Sequence, residues 1–250
     1  MNSTNPFFRN KSFTSNNEKV YDAEVIGAEQ TMTVNGTINK SFIMLLLLVA
    51  SALFTWSLEN NLGLVFTIGG AIIGFILVLI ATFKPQVSPY LAPGYAIFEG
   101  FFIGGISAIF NAKYDGIVSQ AVVATFVTFV TCFALYKFHI VKVTEQFRAV
   151  VIGSTMAIAT FYLISWLVSL FMPKFQPIHH GNSMMSIGIS VFVIVIAAMN
   201  LFLDFDQIEK GVAQKHPKYM EWFGAMGLMI TLVWLYIEFL RLLSKLSSRK

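Results

Sequence analysis

Gly63-Leu64-Val65-Phe66-Thr67-Ile68-Gly69-Gly70-Ala71-Ile72-Ile73-Gly74-Phe75-Ile76-Leu77-Val78-Leu79-Ile80-Ala81-Thr82-Phe83 carries no charged side chain. As an α-helix at 1.5 Å per residue it is about 31 Å long, enough to cross the roughly 30 Å hydrocarbon layer of a bilayer. A buried strand would end at a turn signal after about 4–8 residues, and no Pro, Asn or Asp interrupts this run. Six similar runs flank it, near 42–58, 90–110, 116–136, 149–172, 184–205 and 221–243. Turn-forming residues fall between the runs: Asn60-Asn61, Lys84-Pro85, Asn111 to Asp115, Pro173 to Asn182 and His216-Pro217. The pattern predicts an all-α polytopic membrane protein, a bundle of about seven transmembrane helices.

Composition excludes the soluble alternative. The chain of 250 residues is 56% hydrophobic and 12% charged, whereas soluble domains carry about 25% charged residues. Too few charges remain to cover a water-facing surface, or to supply a second, soluble domain. The expected organisation is a polar, mobile cytoplasmic arm over 1–40 and a transmembrane domain over 41–250. The arm holds Asn-x-Ser/Thr triplets at Asn2, Asn10, Asn35 and Asn39, common by chance in such a composition, and no signal-peptide core. A single cysteine, Cys132, excludes an intramolecular disulfide and reads as a small buried hydrophobe. With the N-terminus inside, eleven Lys and Arg face the cytoplasm and six face the other side. Four of those six, Arg241, Lys245, Arg249 and Lys250, form the C-terminal tail and run against the bias. No basic stripe suits nucleic acid. Gly70/Gly74 and Gly100/Gly104 have the spacing at which helices approach closely in lipid.

Ionisable residues inside apolar runs carry the functional information, because each costs about 2.5–3.5 kcal/mol near the centre of an inserting helix. Glu99 sits mid-run with no basic residue within a turn. It reads as a proton or cation site, or as a neutral carboxyl fixing helix packing. At the end of the sixth run, Asn200, Asp204 and Gln207 follow i, i+4, i+7 spacing and share a polar stripe. Asp206 lies on another face, with Lys210 at i+4. Asp204 is therefore expected to be the buried acid and Asp206 the solvated one. Carboxylates beside an amide suit calcium, which takes several oxygen ligands, so Asp204 and Asp206 are candidate calcium ligands. Glu238 in the seventh run has Arg241 at i+3, a local neutralising partner.

Enzymatic readings find no support in the sequence. All four histidines (His139, His179, His180, His216) fall in expected loops, leaving no base beside an intramembrane nucleophile. No His-Glu-x-x-His or phosphate-binding glycine loop occurs. The expectation is a non-enzyme without a cofactor.

Three motifs taken in order carry a resemblance. Phe98-Glu99-Gly100 lies in the third run, and Leu203-Asp204-Phe205-Asp206-Gln207-Ile208-Glu209-Lys210 closes the sixth. Leu235-Tyr236-Ile237-Glu238-Phe239-Leu240-Arg241-Leu242-Leu243 ends the seventh. Together, over roughly residues 38–245, the chain resembles the Bax inhibitor family of membrane proteins. More narrowly, it resembles a bacterial branch with a longer polar N-terminus. The resemblance implies seven helices, a bacterial cytoplasmic membrane and a pH-sensitive calcium leak. It also implies a gate in which acids on the sixth and seventh helices share a proton, with a glutamate on an earlier helix. By motif, Asp204 or Asp206 matches the sixth-helix acid, Glu238 the seventh-helix acid and Glu99 the glutamate. The spacing opposes that pairing. With a turn near Lys215, Asp204 and Glu238 are offset by about 12 residues, roughly 18 Å along antiparallel helices.

Two functions remain open at this point. One is a calcium or proton-linked cation leak channel gated by protonation of Glu99, Asp204, Asp206 and Glu238, with Asn200, Gln207 and Arg241 as supporting polar groups. The other is a non-transporting regulator whose arm docks on another membrane protein, such as a quality-control protease.

Overall fold

The computed structural model describes residues 31–58, 60–172, 181 and 183–249. Seven helices, each long and apolar enough to cross a bilayer, account for nearly all of them. They are α1 (Val34–Trp56), α2 (Asn60–Phe83), α3 (Ser88–Lys113), α4 (Ile117–Lys137), α5 (Glu145–Phe171), α6 (Met184–Ala213) and α7 (Met220–Ser247). A single 3-10 turn, Pro85–Val87, leads into α3. The fold is that of an all-α polytopic membrane protein, as the run lengths require.

Helix ends extend beyond the apolar runs. The first helix begins at Val34 rather than 42, because Thr33 caps it by accepting a hydrogen bond from the Gly36 amide at 3.0 Å. Thr144 and Ser183 cap α5 and α6 in the same way, each at 3.2 Å. Hydropathy marks where a helix leaves the hydrocarbon, whereas backbone hydrogen bonding continues until a cap satisfies the free amides. Of the arm expected over 1–40, residues 1–30 lie outside the described residues, and Val34 to Lys40 form the first turns of α1. Asn35 and Asn39 are therefore helical, while Asn2, Asn10, His179 and His180 lie outside the described residues.

Glycines set the packing of the first three helices. A Cβ on Gly100 would collide with the Ser51 hydroxyl and the Leu48 carbonyl of α1, and one on Gly104 with the Ala52 carbonyl. A Cβ on Gly70 of α2 would strike the backbone of α3 at Phe98. Both small-residue pairs are thus close-approach surfaces, as their spacing indicates. The last helix, α7, is the most enclosed and packs against α1, α3, α4 and α6, while α5 lies at the periphery against α6. Cys132 is buried, its thiol directed at the Ala198 carbonyl at 3.7 Å. The outward surface is apolar, as lipid contact demands: Leu53, Val65, Phe75 and Leu163 are all exposed.

Candidate functional site

Three clusters of polar side chains lie along the antiparallel pair α6 and α7. The first surrounds Asp204. Its carboxyl is directed at α7, with Oδ1 4.0 Å from where a Cβ on Gly227 would sit and the Thr231 hydroxyl, which donates to the Gly227 carbonyl at 3.4 Å, one turn further on. The second carboxyl oxygen, Oδ2, is buried without a partner. Asp204 is also one of the residues lining a cavity of about 260 Å³ that extends past Gln207 and Gly211 to Met32 and His216. A larger cavity of about 340 Å³, lined by Arg148, Lys210 and Gln214, shares Gln207, Gly211 and His216 with it. Unpaired buried polar atoms cost free energy, so an orphaned carboxyl oxygen beside a cavity marks a place that a proton, water or cation would stabilise.

The second cluster centres on Asp206. Its Oδ2 accepts from Arg148 of α5 at 2.6 Å and pairs with Lys210 at 2.8 Å. The local pair with Lys210 is as its spacing indicates, but the expected solvation is not found. Asp206 is buried, because Arg148 reaches across from a neighbouring helix and compensates the lost water. Asp204 and Asp206 therefore face different partners. The calcium pair drawn from their proximity in sequence does not form, since residues two apart on a helix do not share a face. Among the described residues no group of three His, Cys, Asp or Glu converges on a metal position.

The third cluster lies further along α7. Glu238 is fully enclosed, and its Oε1 accepts from Arg241 at 3.0 Å and from the Tyr162 hydroxyl at 3.2 Å. Arg241 also stacks over the Tyr162 ring, 5.2 Å from its centroid. Glu238 Oε2, like Asp204 Oδ2, is buried and unpartnered. The two acids do not meet. Glu238 lies seven to eleven residues beyond the Thr231 and Gly227 that face Asp204, about 10–16 Å along an unbroken α7. No shared-proton pair forms between them in this structure.

The supporting residues divide. Gln207 lines the Asp204 cavity, whereas Asn200 turns away and donates to Thr155 of α5 at 2.8 Å and to the Ile196 carbonyl at 2.9 Å. The expected continuous stripe of Asn200, Asp204 and Gln207 is broken at Asn200, because α5 offers a hydroxyl there. Glu99 belongs to another part of the bundle. Its carboxyl lies against α2, with Oε2 only 3.1 Å from where a Cβ on Gly74 would sit.

Sequence reasoning missed the most connected acid among the described residues. Glu221, fully buried at the start of α7, accepts from the Thr33 amide and hydroxyl, both at 2.8 Å, and pairs with Lys40 and, at 3.3 Å, Lys218. Beside it the Met32 amide donates to the His216 carbonyl at 2.7 Å, and Thr31 bridges Pro217. Lys245 was equally hidden: counted as tail charge, it is buried, donating to Ser190 Oγ at 2.7 Å and to the Ser186 carbonyl at 3.1 Å. Only Lys218, three residues before Glu221, gave a local signal for any of these contacts.

Seven spanning helices with enclosed acids on the last two define a polytopic membrane protein with a polar interior. Within that class, the family model described as Bax inhibitor 1 like matches residues 5–248, and the chain belongs to this family. Comparison with curated proteins returns no match.

Proposed function

We propose that this protein is a passive leak pathway for calcium or a proton-linked cation, running along α6 and α7 and controlled by protonation of Asp204. The observation that carries this reading is Asp204 itself, which lines a cavity between those helices and has one carboxyl oxygen buried without a partner. A carboxylate there attracts a cation, and a carboxyl there does not, so proton binding changes occupancy of the path. Beyond Asp204 the path is closed by Glu238, Arg241 and Tyr162, which hold one another. This closure differs from a proton shared between two acids: opening requires Arg241 to release Glu238.

The proposed setting is a bacterial cytoplasmic membrane with the N-terminus inside. The tail charges that oppose this orientation lose weight, since Arg241 is paired with Glu238 and Lys245 is buried between helices. The reading requires neither a cofactor nor catalysis. The test is calcium flux into liposomes containing the purified full chain, followed with an entrapped dye over a pH series. Wild type should pass calcium with a rate that changes with pH, and Asp204→Asn should pass it at one rate throughout. Equal pH responses in both proteins, or no flux above empty liposomes at any pH, would overturn the proposal.

A further inference from the structure

A groove lies between α1 and α4 at the end of the bundle that carries Thr33 and Lys137. Its volume is about 570 Å³, within the roughly 300–1,000 Å³ usual for ligand pockets. Phe126, Phe129 and Phe133 of α4 form one wall, Phe42 and Leu45 of α1 the other, and Leu228 and Leu232 of α7 contribute to the floor. On both walls the lining covers the same length, Val34 to Leu45 and Phe126 to Lys137. Each stretch spans about 16 Å at 1.5 Å per residue, half the roughly 30 Å hydrocarbon layer. The groove is one leaflet deep.

Its polarity is graded along that depth. Lys137, His139 and Glu209 line only the end at the helix termini. The Glu209 carboxylate is held by the Tyr136 hydroxyl, while Lys137 is exposed and has no ion pair among the described residues. Further in, the hydroxyls of Thr37 and Ser41 donate to carbonyls of their own helix, Thr33 at 3.0 Å and Thr37 at 2.9 Å. They present no unmet donor to an occupant. The inner part of the groove is lined mainly by apolar side chains, and in a bilayer the available apolar material is acyl chain.

We propose that this groove binds one glycerophospholipid of the adjoining leaflet, one acyl chain between α1 and α4 and its phosphate at Lys137 and His139. The site uses none of the acids assigned to the proposed cation path and does not depend on it. The test uses the full chain in mild detergent with added phosphatidylglycerol, read by native mass spectrometry. One lipid per chain should be retained. Lys137→Ala should weaken retention about fivefold, the effect of one basic residue at a lipid headgroup, and Lys113→Ala, at the other end of the bundle, should leave it unchanged. Ser41→Trp fills the groove and should abolish retention; Ile38→Trp, at an exposed position on the same wall, does so if Ser41→Trp does not fold. Undiminished retention in a folded Trp variant overturns the proposal. So does binding of acyl-free glycerophosphate as tight as that of the lipid, or a dimer of this chain in place of the lipid-bound monomer.

Discussion

Replacing Glu221 with Gln removes one charge from the most densely bonded acid among the described residues while preserving its shape. The wild-type carboxylate is fully buried and paired with Lys40, whose side chain is 16% exposed, and with Lys218, which is 48% exposed. Breaking an enclosed ion pair by removing one partner costs about 3–5 kcal/mol, because the other charge is left uncompensated. Lys40 retains the face of Trp222, 5.5 Å from its ammonium, and can turn partly toward the headgroups, which favours the lower end of that range. The expected loss is therefore about 3 kcal/mol, a factor of roughly 150 in the folded-to-unfolded ratio. Lys218→Ala breaks only the half-exposed pair and should cost less than about 1 kcal/mol. Adding Lys40→Met to Glu221→Gln removes both charges of the enclosed pair and should recover at least half of the loss. The assay is reversible unfolding of the full chain in mixed micelles titrated with denaturing detergent. A loss below about 1 kcal/mol for Glu221→Gln, or strict additivity across the Lys40 and Glu221 cycle, refutes the reasoning.

Gly100→Val should prevent normal assembly, since its Cβ meets the Ser51 hydroxyl and the α1 backbone. Overpacking of this kind costs about 1–3 kcal/mol or more and would appear as a lost monodisperse peak in size-exclusion chromatography. Gly69→Ala, with nothing within 4 Å of the added Cβ, should be neutral or raise the melting temperature in detergent, as Ala favours the helix by about 1 kcal/mol over Gly. Asp204→Asn breaks no ion pair among the described residues and should melt at or above the wild-type temperature. Asp206→Asn, which leaves Arg148 and Lys210 facing each other, should melt lower. Tyr162→Phe removes one hydrogen bond to Glu238 and should cost about 1 kcal/mol in the same detergent titration.

What the sequence reveals and what it hides follow from the range of each interaction. Spanning helices are legible because length and apolarity are local, and Gly70/Gly74 and Gly100/Gly104 because helical periodicity is fixed. Arg241 with Glu238, and Lys210 with Asp206, are legible as neighbours on one helix turn. The burial of Asp206 is not, because its second cation, Arg148, lies 58 residues away in sequence. Glu221 and Lys40 are 181 apart and Lys245 and Ser190 are 55 apart, and nothing in either local sequence names the other. Asn200 illustrates the same limit from the opposite side: periodicity placed it beside Asp204, and a hydroxyl on α5 turned it away.

The knot of Thr31, Met32 and Thr33 with His216, Pro217 and Glu221 joins the start of the first spanning segment to the start of the last. A ribosome delivers those two ends far apart in time. During translation α1 precedes α7, so Lys40 lacks this counter-charge until Glu221 has been synthesised. The contact between α1 and α7 thus closes only after α2 to α6 have been synthesised.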